Sequence, residues 1–191
     1  MDYQMLDYIQ GLRTPFLDKI MPIITHLGSG GFVWILIILV LLCLKKYRKI
    51  GIVGAAALII GTLIFTLAMK NVVARERPFN QEIGLLSVTD LLIPPPSDRY
   101  SFPSGHTLSG FAVAMSVFIY KKGFGTFCLI LAALIAFSRL YLYVHFPSDV
   151  FFGMVFGIMC AIAADKIVNK VMEKYNENKL SDNTGQGNTG S

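Results

Sequence analysis

LGSGGFVWILIILVLLCL (residues 27–44) and IGIVGAAALIIGTLIFTLAM (residues 50–69) are two uncharged apolar runs, separated only by KKYRK at 45–49. Each is close to the roughly 20 residues that a helix needs to cross a bilayer core. Composition points the same way. Of 191 residues, 54% are hydrophobic and only 15% charged, with mean hydropathy +0.58, where soluble domains carry about 25% charged residues. The expected fold class is an all-α, integral-membrane helical bundle.

Working outward, Gly123 to Ser138 and Val150 to Ala164 are shorter runs that Leu140–Val144 and Ile167-Val168 can extend. Thr107 to Tyr120 reaches spanning length when counted back to Ser101. Five spans are expected. In the first 24 residues, Leu6, Ile9 and Leu12, then Phe16, Leu17, Ile20, Ile23 and Ile24, recur at helical spacing between charges, with Pro15 as a break. Two short amphipathic helices at the interface are expected there, a sixth span being the alternative. Asp2, Asp7, Arg13, Asp18 and Lys19 do not fit a cleavable leader, so the spans themselves are expected to target the chain. Residues 1–175 read as one membrane-embedded domain, and 176–191, polar and rich in Asn, Gly and Ser, as a disordered cytoplasmic tail.

The net charge of +5 is better explained by membrane topology than by nucleic acid, for which no role is expected. Lys45, Lys46, Arg48 and Lys49, then Lys121 and Lys122, then Lys166, Lys170, Lys174 and Lys179 all fall on one side of a five-span bundle. Basic loops mark the cytoplasm, so a plasma-membrane protein with a cytoplasmic C-terminus is expected. The connections Lys70–Phe102 and Arg139–Asp149 then face outward. Cys43, Cys128 and Cys160 lie within apolar runs without metal-ligand spacing.

The outward connections hold most of the chemistry. Lys70 and Arg77 are seven residues apart, on one helix face if the second span continues, with Pro78 ending it. Arg139 supplies a third cation, and the Arg fork suits phosphate. Pro103-Ser104-Gly105-His106 looks like a helix start, with Ser104 as cap and Gly105 allowing a ligand close to the backbone. His145 has Asp149 four residues on, able to hold one ring nitrogen protonated and leave the other as a nucleophile. His106 is then the acid–base partner. A metal on His106, His145 and Asp149 is disfavoured by three cations at the same mouth, and no cofactor is expected. His26, Arg75, Glu76 and Arg99 receive no role, the last three being read as solvated loop charges.

Lys70-x6-Arg77-Pro78, Pro103-Ser104-Gly105-His106 and Ser138-Arg139-x5-His145-x3-Asp149 together resemble the three-part signature of the type 2 phosphatidic acid phosphatases, matched at every position and spacing. The resemblance implies a helical bundle with its site at the outer face and metal-independent hydrolysis of lipid phosphates or diphosphates. It makes His145 the nucleophile, Asp149 its orienter and His106 the acid–base. Lys70, Arg77, Ser104, Gly105, His106 and Arg139 would contact the phosphate. Soluble acid phosphatases and vanadate haloperoxidases share the signature, but the apolar spans argue against both. Undecaprenyl diphosphate is the favoured substrate. Phosphatidylglycerol phosphate, phosphatidic acid and diacylglycerol diphosphate are the alternatives, and phosphotransfer to another acceptor is the rival reaction. Asn80–Tyr100, with Leu85-Leu86, Leu91-Leu92-Ile93 and Pro94-Pro95-Pro96, is expected to form an apolar flap over a lateral lipid access.

Overall fold

The structure, a computed structural model, describes residues 1–81 and 84–186, with side chains as far as Lys179. Eight helices follow one another: α1 (Asp2–Gln10), α2 (Pro15–Leu27), α3 (Phe32–Cys43), α4 (Arg48–Gly61), α5 (Lys70–Val73), α6 (Gly105–Tyr120), α7 (Lys122–Tyr141) and α8 (Pro147–Gln186). Between α4 and α5 the chain stays helical through a wider turn over Thr62–Met69. No strand is present among the described residues, and the chain is an integral-membrane helical bundle.

Among the described residues three stretches are long and apolar enough to cross a membrane: Lys45–Val73, Lys122–Tyr141 and Pro147–Lys179. Pro15–Leu27 and Ser29–Cys43, bent by 44° at the break between them, together make a fourth candidate. Just after that break Gly30 and Gly31 take φ of +60° and +71°, a region that non-glycine residues rarely enter. Large apolar side chains remain exposed around the bundle, among them Leu39, Leu63, Ile130, Phe151 and Ile162. Such a surface suits lipid and not water.

The remaining expected span, α6, has 16 residues, about 24 Å at 1.5 Å per residue. Its setting compensates for its length. It lies in the middle, packed against α3, α4, α7 and α8, and Thr107–Ala114, Ser116 and Val117 are all buried. Helices meet closely here because small residues face α6. Gly153 and Gly157 of α8 sit one turn apart against it. A Cβ on Gly157 would lie 2.6 Å from the Leu108 carbonyl oxygen and 2.9 Å from the Ala112 nitrogen. Small residues spaced four apart are a common way to bring helix backbones together in a bilayer.

The basic segments gather at one end. Lys46 and Lys121 both approach the Tyr47 ring, Lys49 approaches the Tyr120 ring, and the Tyr120 hydroxyl donates to Asp165 of α8. The α7–α8 connection lies at the other end, under the two N-terminal helices. Leu6, Ile9 and Met21 cluster with Tyr141–Val144 and Phe146. Pro15 begins α2 in the expected place, with Thr14 capping it by accepting the Leu17 N–H at 3.2 Å. The last helix, α8, continues past Asn176 to Gln186, and residues 187–191 of the expected tail lie outside the described residues. No Pro or Gly falls between Gly157 and Gly185 to stop the helix.

Gly157→Ala is expected to lower the thermal midpoint of the detergent-solubilised protein, by the equivalent of about 1–3 kcal/mol of overpacking. Gly123→Ala, which meets nothing within 4 Å, should leave the midpoint unchanged or slightly raised. Equal midpoints for the two variants would contradict the close α6–α8 contact.

Candidate active site

The second and third signature blocks are joined through backbone. The Ser104 N–H, just ahead of α6, donates to the Asp149 carbonyl in the first turn of α8 at 3.1 Å. The Tyr100–Ser101 strand-like segment returns beside Arg75–Glu76, with a bridge between Glu76 and Tyr100 and the Ser101 N–H donating to the Arg75 carbonyl at 2.8 Å. These contacts bring the three blocks to one end of the bundle.

Lys70 and Arg77 converge, but not by sharing a helix face. The helix ends at Val73, Ala74 turns left-handed with φ +47°, and Arg77 is already extended. Both cations instead reach Asp98: Lys70 Nζ pairs with one carboxylate oxygen, and Arg77 Nη2 donates to the other at 2.7 Å. Arg77 also donates to the Asp98 carbonyl at 3.0 Å and to the Val144 carbonyl at 2.6 Å. Arg139, 4% exposed, donates to Thr25 Oγ1 at 2.6 Å while its Nε is buried with no partner.

His145 is 2% exposed and lies in the tight α7–α8 connection. Its Nε2 is 3.4 Å from Arg77 Nη1. Arginine can only donate, so the geometry fits a tautomer with a free lone pair on Nε2 and the proton on Nδ1. Nδ1 faces Asp149 Oδ2 at 3.5 Å, longer than a formed N–H···O bond. Burial, with Arg77, Arg139, Lys70 and His106 nearby, holds the His145 imidazole well below its ordinary pKa. It is therefore neutral near pH 7. His106, in the first turn of α6, has a buried Nε2 with no partner.

Asp149 is fully buried and held on both oxygens. Oδ2 accepts the Phe146 N–H at 2.8 Å and Oδ1 accepts Arg75 Nη1 at 2.8 Å. Arg75, expected to be a solvated loop charge, is thus part of the site. Its guanidinium lies 3.8 Å from the Phe146 ring centroid, and it also pairs with Asp2 at 2.7 Å. Only its position two residues before Arg77 could have drawn attention to it. Asp98 and Thr25 carried no signal in the sequence at all. Glu76 and Arg99, read as solvated loop charges, have exposed side chains and pair with each other at 2.9 Å.

Ser104 precedes α6 but makes no capping bond; its hydroxyl instead accepts from Thr107 Oγ1 at 3.0 Å. Gly105 lines the cavity, and an added Cβ there would meet only Thr66, at 3.5 Å. The cavity has a volume of about 640 Å³. Lys70, Arg77, Asp98, His106, Arg139 and His145 line one part, and Ile35, Leu58, Ile59 and Leu63 of α3, α4 and the wide turn line another. Among the described residues no cluster of three His, Cys, Asp or Glu side chains is arranged to hold a metal. Lys70, Arg77 and Arg139 make the polar part of the cavity rich in cationic side chains.

The flap segment is held from two sides. Leu86 and Leu91–Ile93 pack on the Tyr141–Phe146 cluster, and the Leu85 N–H donates to the Tyr143 hydroxyl at 2.9 Å. Pro96 and Asp98 reach the cavity. Glu82 and Ile83 lie outside the described residues.

The PAP2 superfamily profile matches residues 50–173, which include every block of the signature. The chain belongs to the PAP2 superfamily. An undecaprenyl-diphosphatase of Sulfolobus acidocaldarius is 37% identical over 74% of this PAP2 chain and 66% of its own length. The undecaprenyl-diphosphatase BcrC of Bacillus subtilis is 32% identical over 83% and 80%. Among solved structures, Aquifex aeolicus LpxE superposes with a TM-score of 0.74 at 29% identity, covering 86% of this chain and 94% of that one. The transmembrane PAP2-type phosphatidylglycerolphosphate phosphatase of Bacillus subtilis shares the fold, with a TM-score of 0.68.

The histidine assignment is testable by NMR in detergent. His145, identified by its loss in His145→Asn, is expected not to titrate between about pH 8 and 6, because its proton affinity lies below the free value of about 6.5. The unfolded chain binds that proton more readily, so this group should make the fold less stable as pH falls below about 6.5. A His145 midpoint at or above that value would contradict a buried neutral ring.

Proposed function

We propose that this PAP2 protein hydrolyses lipid diphosphates or phosphates through a phospho-histidine, with undecaprenyl diphosphate as the favoured substrate. The observation that carries the proposal is that His145 and His106 line one cavity together with Lys70, Arg77 and Arg139. The cavity's apolar part, between α3 and α4, fits a lipid that keeps its tail in the bilayer and offers its headgroup to the cations. The flap segment, with Pro96 at the cavity, would cover that headgroup. Relatives named as undecaprenyl-diphosphatases at 37% and 32% identity support this substrate class; phosphatidylglycerol phosphate, as in a Bacillus subtilis relative 29% identical, is the alternative.

In the proposed reaction the Nε2 lone pair of His145 attacks the terminal phosphorus in line with the bridging oxygen. The P–O bond breaks and the lipid phosphate leaves, its oxygen taking the proton of a protonated His106, which is left neutral and able to act as the base in the next step. Lys70, Arg77, Arg139 and the N–H groups at the start of α6, around Ser104 and Gly105, stabilise the charge on the phosphoryl oxygens. Asp149 balances the positive ring and keeps Nδ1 protonated, and Arg75 fixes Asp149. Water, deprotonated by His106, then attacks the phosphorus. The P–N bond breaks, orthophosphate leaves and His145 is restored.

The site is proposed to face outward. It lies opposite the end where Lys46, Lys49 and Lys121 gather, and basic residues mark the cytoplasmic side. The five-span arrangement, with residues 1–175 as one domain and the tail beyond in the cytoplasm, completes the reading.

Two measurements test it. With chelator present, purified protein should release orthophosphate from undecaprenyl diphosphate, faster than from phosphatidic acid or phosphatidylglycerol phosphate. His145→Ala should reduce release by at least about 10³-fold, the scale lost when a nucleophile is removed, and retained activity would sink the mechanism. For sidedness, a Ser87→Cys variant in a Cys43→Ser background should react with a membrane-impermeant thiol reagent in intact cells. Labelling only after lysis would place the site inside.

A further inference from the structure

Asp98 stands outside the three signature blocks, yet it holds two of the three cavity cations. One carboxylate oxygen pairs with Lys70 and the other with Arg77. It does so from the cavity side: Asp98 lines the cavity with His106 and His145, and its side chain is 50% exposed while that of Arg77 is 2% exposed. Burial raises its proton affinity, but Lys70 and Arg77 more than offset this and hold the carboxyl below its ordinary value. It is therefore a full negative charge at neutral pH.

A carboxylate bridging an ammonium and a guanidinium makes the charge-assisted contacts that two phosphate oxygens would make. The residues on either side hold it there. Leu91–Ile93 are packed on the Tyr141–Phe146 cluster, three prolines follow, and Tyr100 is fixed by its bridge to Glu76. Building on the proposed phosphate role of Lys70 and Arg77, we infer that Asp98 is a specificity-determining residue, an internal competitor that a substrate phosphate must displace from these two cations.

The consequence is selectivity by charge. A tethered carboxylate competes at an effective concentration in the millimolar range or above. The bilayer around the cavity is itself a concentrated source of phosphodiester headgroups, each with a single negative charge on its phosphate. Such a group gains little over Asp98. A terminal phosphate, with a charge of about −1.5 to −2 at pH 7, or a diphosphate gains more and displaces it. The enzyme thereby keeps bulk lipid out of its anion site.

The test uses the whole protein in mixed micelles, with inhibition by orthophosphate and by phosphatidylglycerol as readouts. Asp98→Asn, and independently Asp98→Ser, should lower the inhibition constant for orthophosphate by about tenfold, as when a competent state populated about one-tenth of the time becomes dominant. Phosphatidylglycerol, which should inhibit the parent protein only weakly, should become a clear competitive inhibitor of both variants. Asp98→Glu should restore exclusion. Unchanged or weaker orthophosphate inhibition in folded Asp98→Asn and Asp98→Ser would overturn the inference, showing Asp98 to be a fixed brace for the cations. Lys70→Ala separates the two levels of the argument. If orthophosphate inhibits the parent and Lys70→Ala alike, the phosphate site itself is misassigned and the exchange falls with it. If Lys70→Ala weakens inhibition while the Asp98 variants do not strengthen it, only the exchange fails.

Discussion

Lys70, Arg77 and Arg139 are buried side by side at one end of an apolar bundle, and their mutual repulsion is the constraint that shapes everything near them. Burying unpaired charge is costly, and like charges in a medium of low dielectric constant repel strongly. The structure answers with anions and carbonyls. Asp98 bridges two of the cations, the Val144 carbonyl takes a third contact from Arg77, and Thr25 takes one from Arg139. A site balanced in this way suits the multiply charged headgroup of the proposed substrate.

A second layer fixes the histidines. Asp149 ties α6 to α8 through its carbonyl, the α7–α8 connection through the Phe146 N–H, and the N-terminal helix through Arg75 and Asp2. The terminal helices therefore do more than rest on the bundle. Tyr141 and Tyr143, rooted beside the site, reach Asp18 and Asp7 with their hydroxyls, so the covering layer and the site share one hydrogen-bonded network.

The helical bundle was legible because uncharged runs such as 50–69 have only one stable state in lipid. The site blocks were legible because their spacings tie each functional group to the end of a helix. Arg75 and Asp98 were not. Both sit in a long connection, where the fold of the chain, and not a helical or strand period, decides which side chains turn inward. The route by which Lys70 meets Arg77 was also hidden, since the left-handed turn at Ala74 leaves no mark in composition.

Gly153 and Gly157 set α8 against α6 by main-chain contact, and His106 lies in the first turn of one of those helices while His145 stands two residues before the other. The separation of the proposed proton donor and the proposed attacking nitrogen is thus gauged in part by peptide groups that cannot repack.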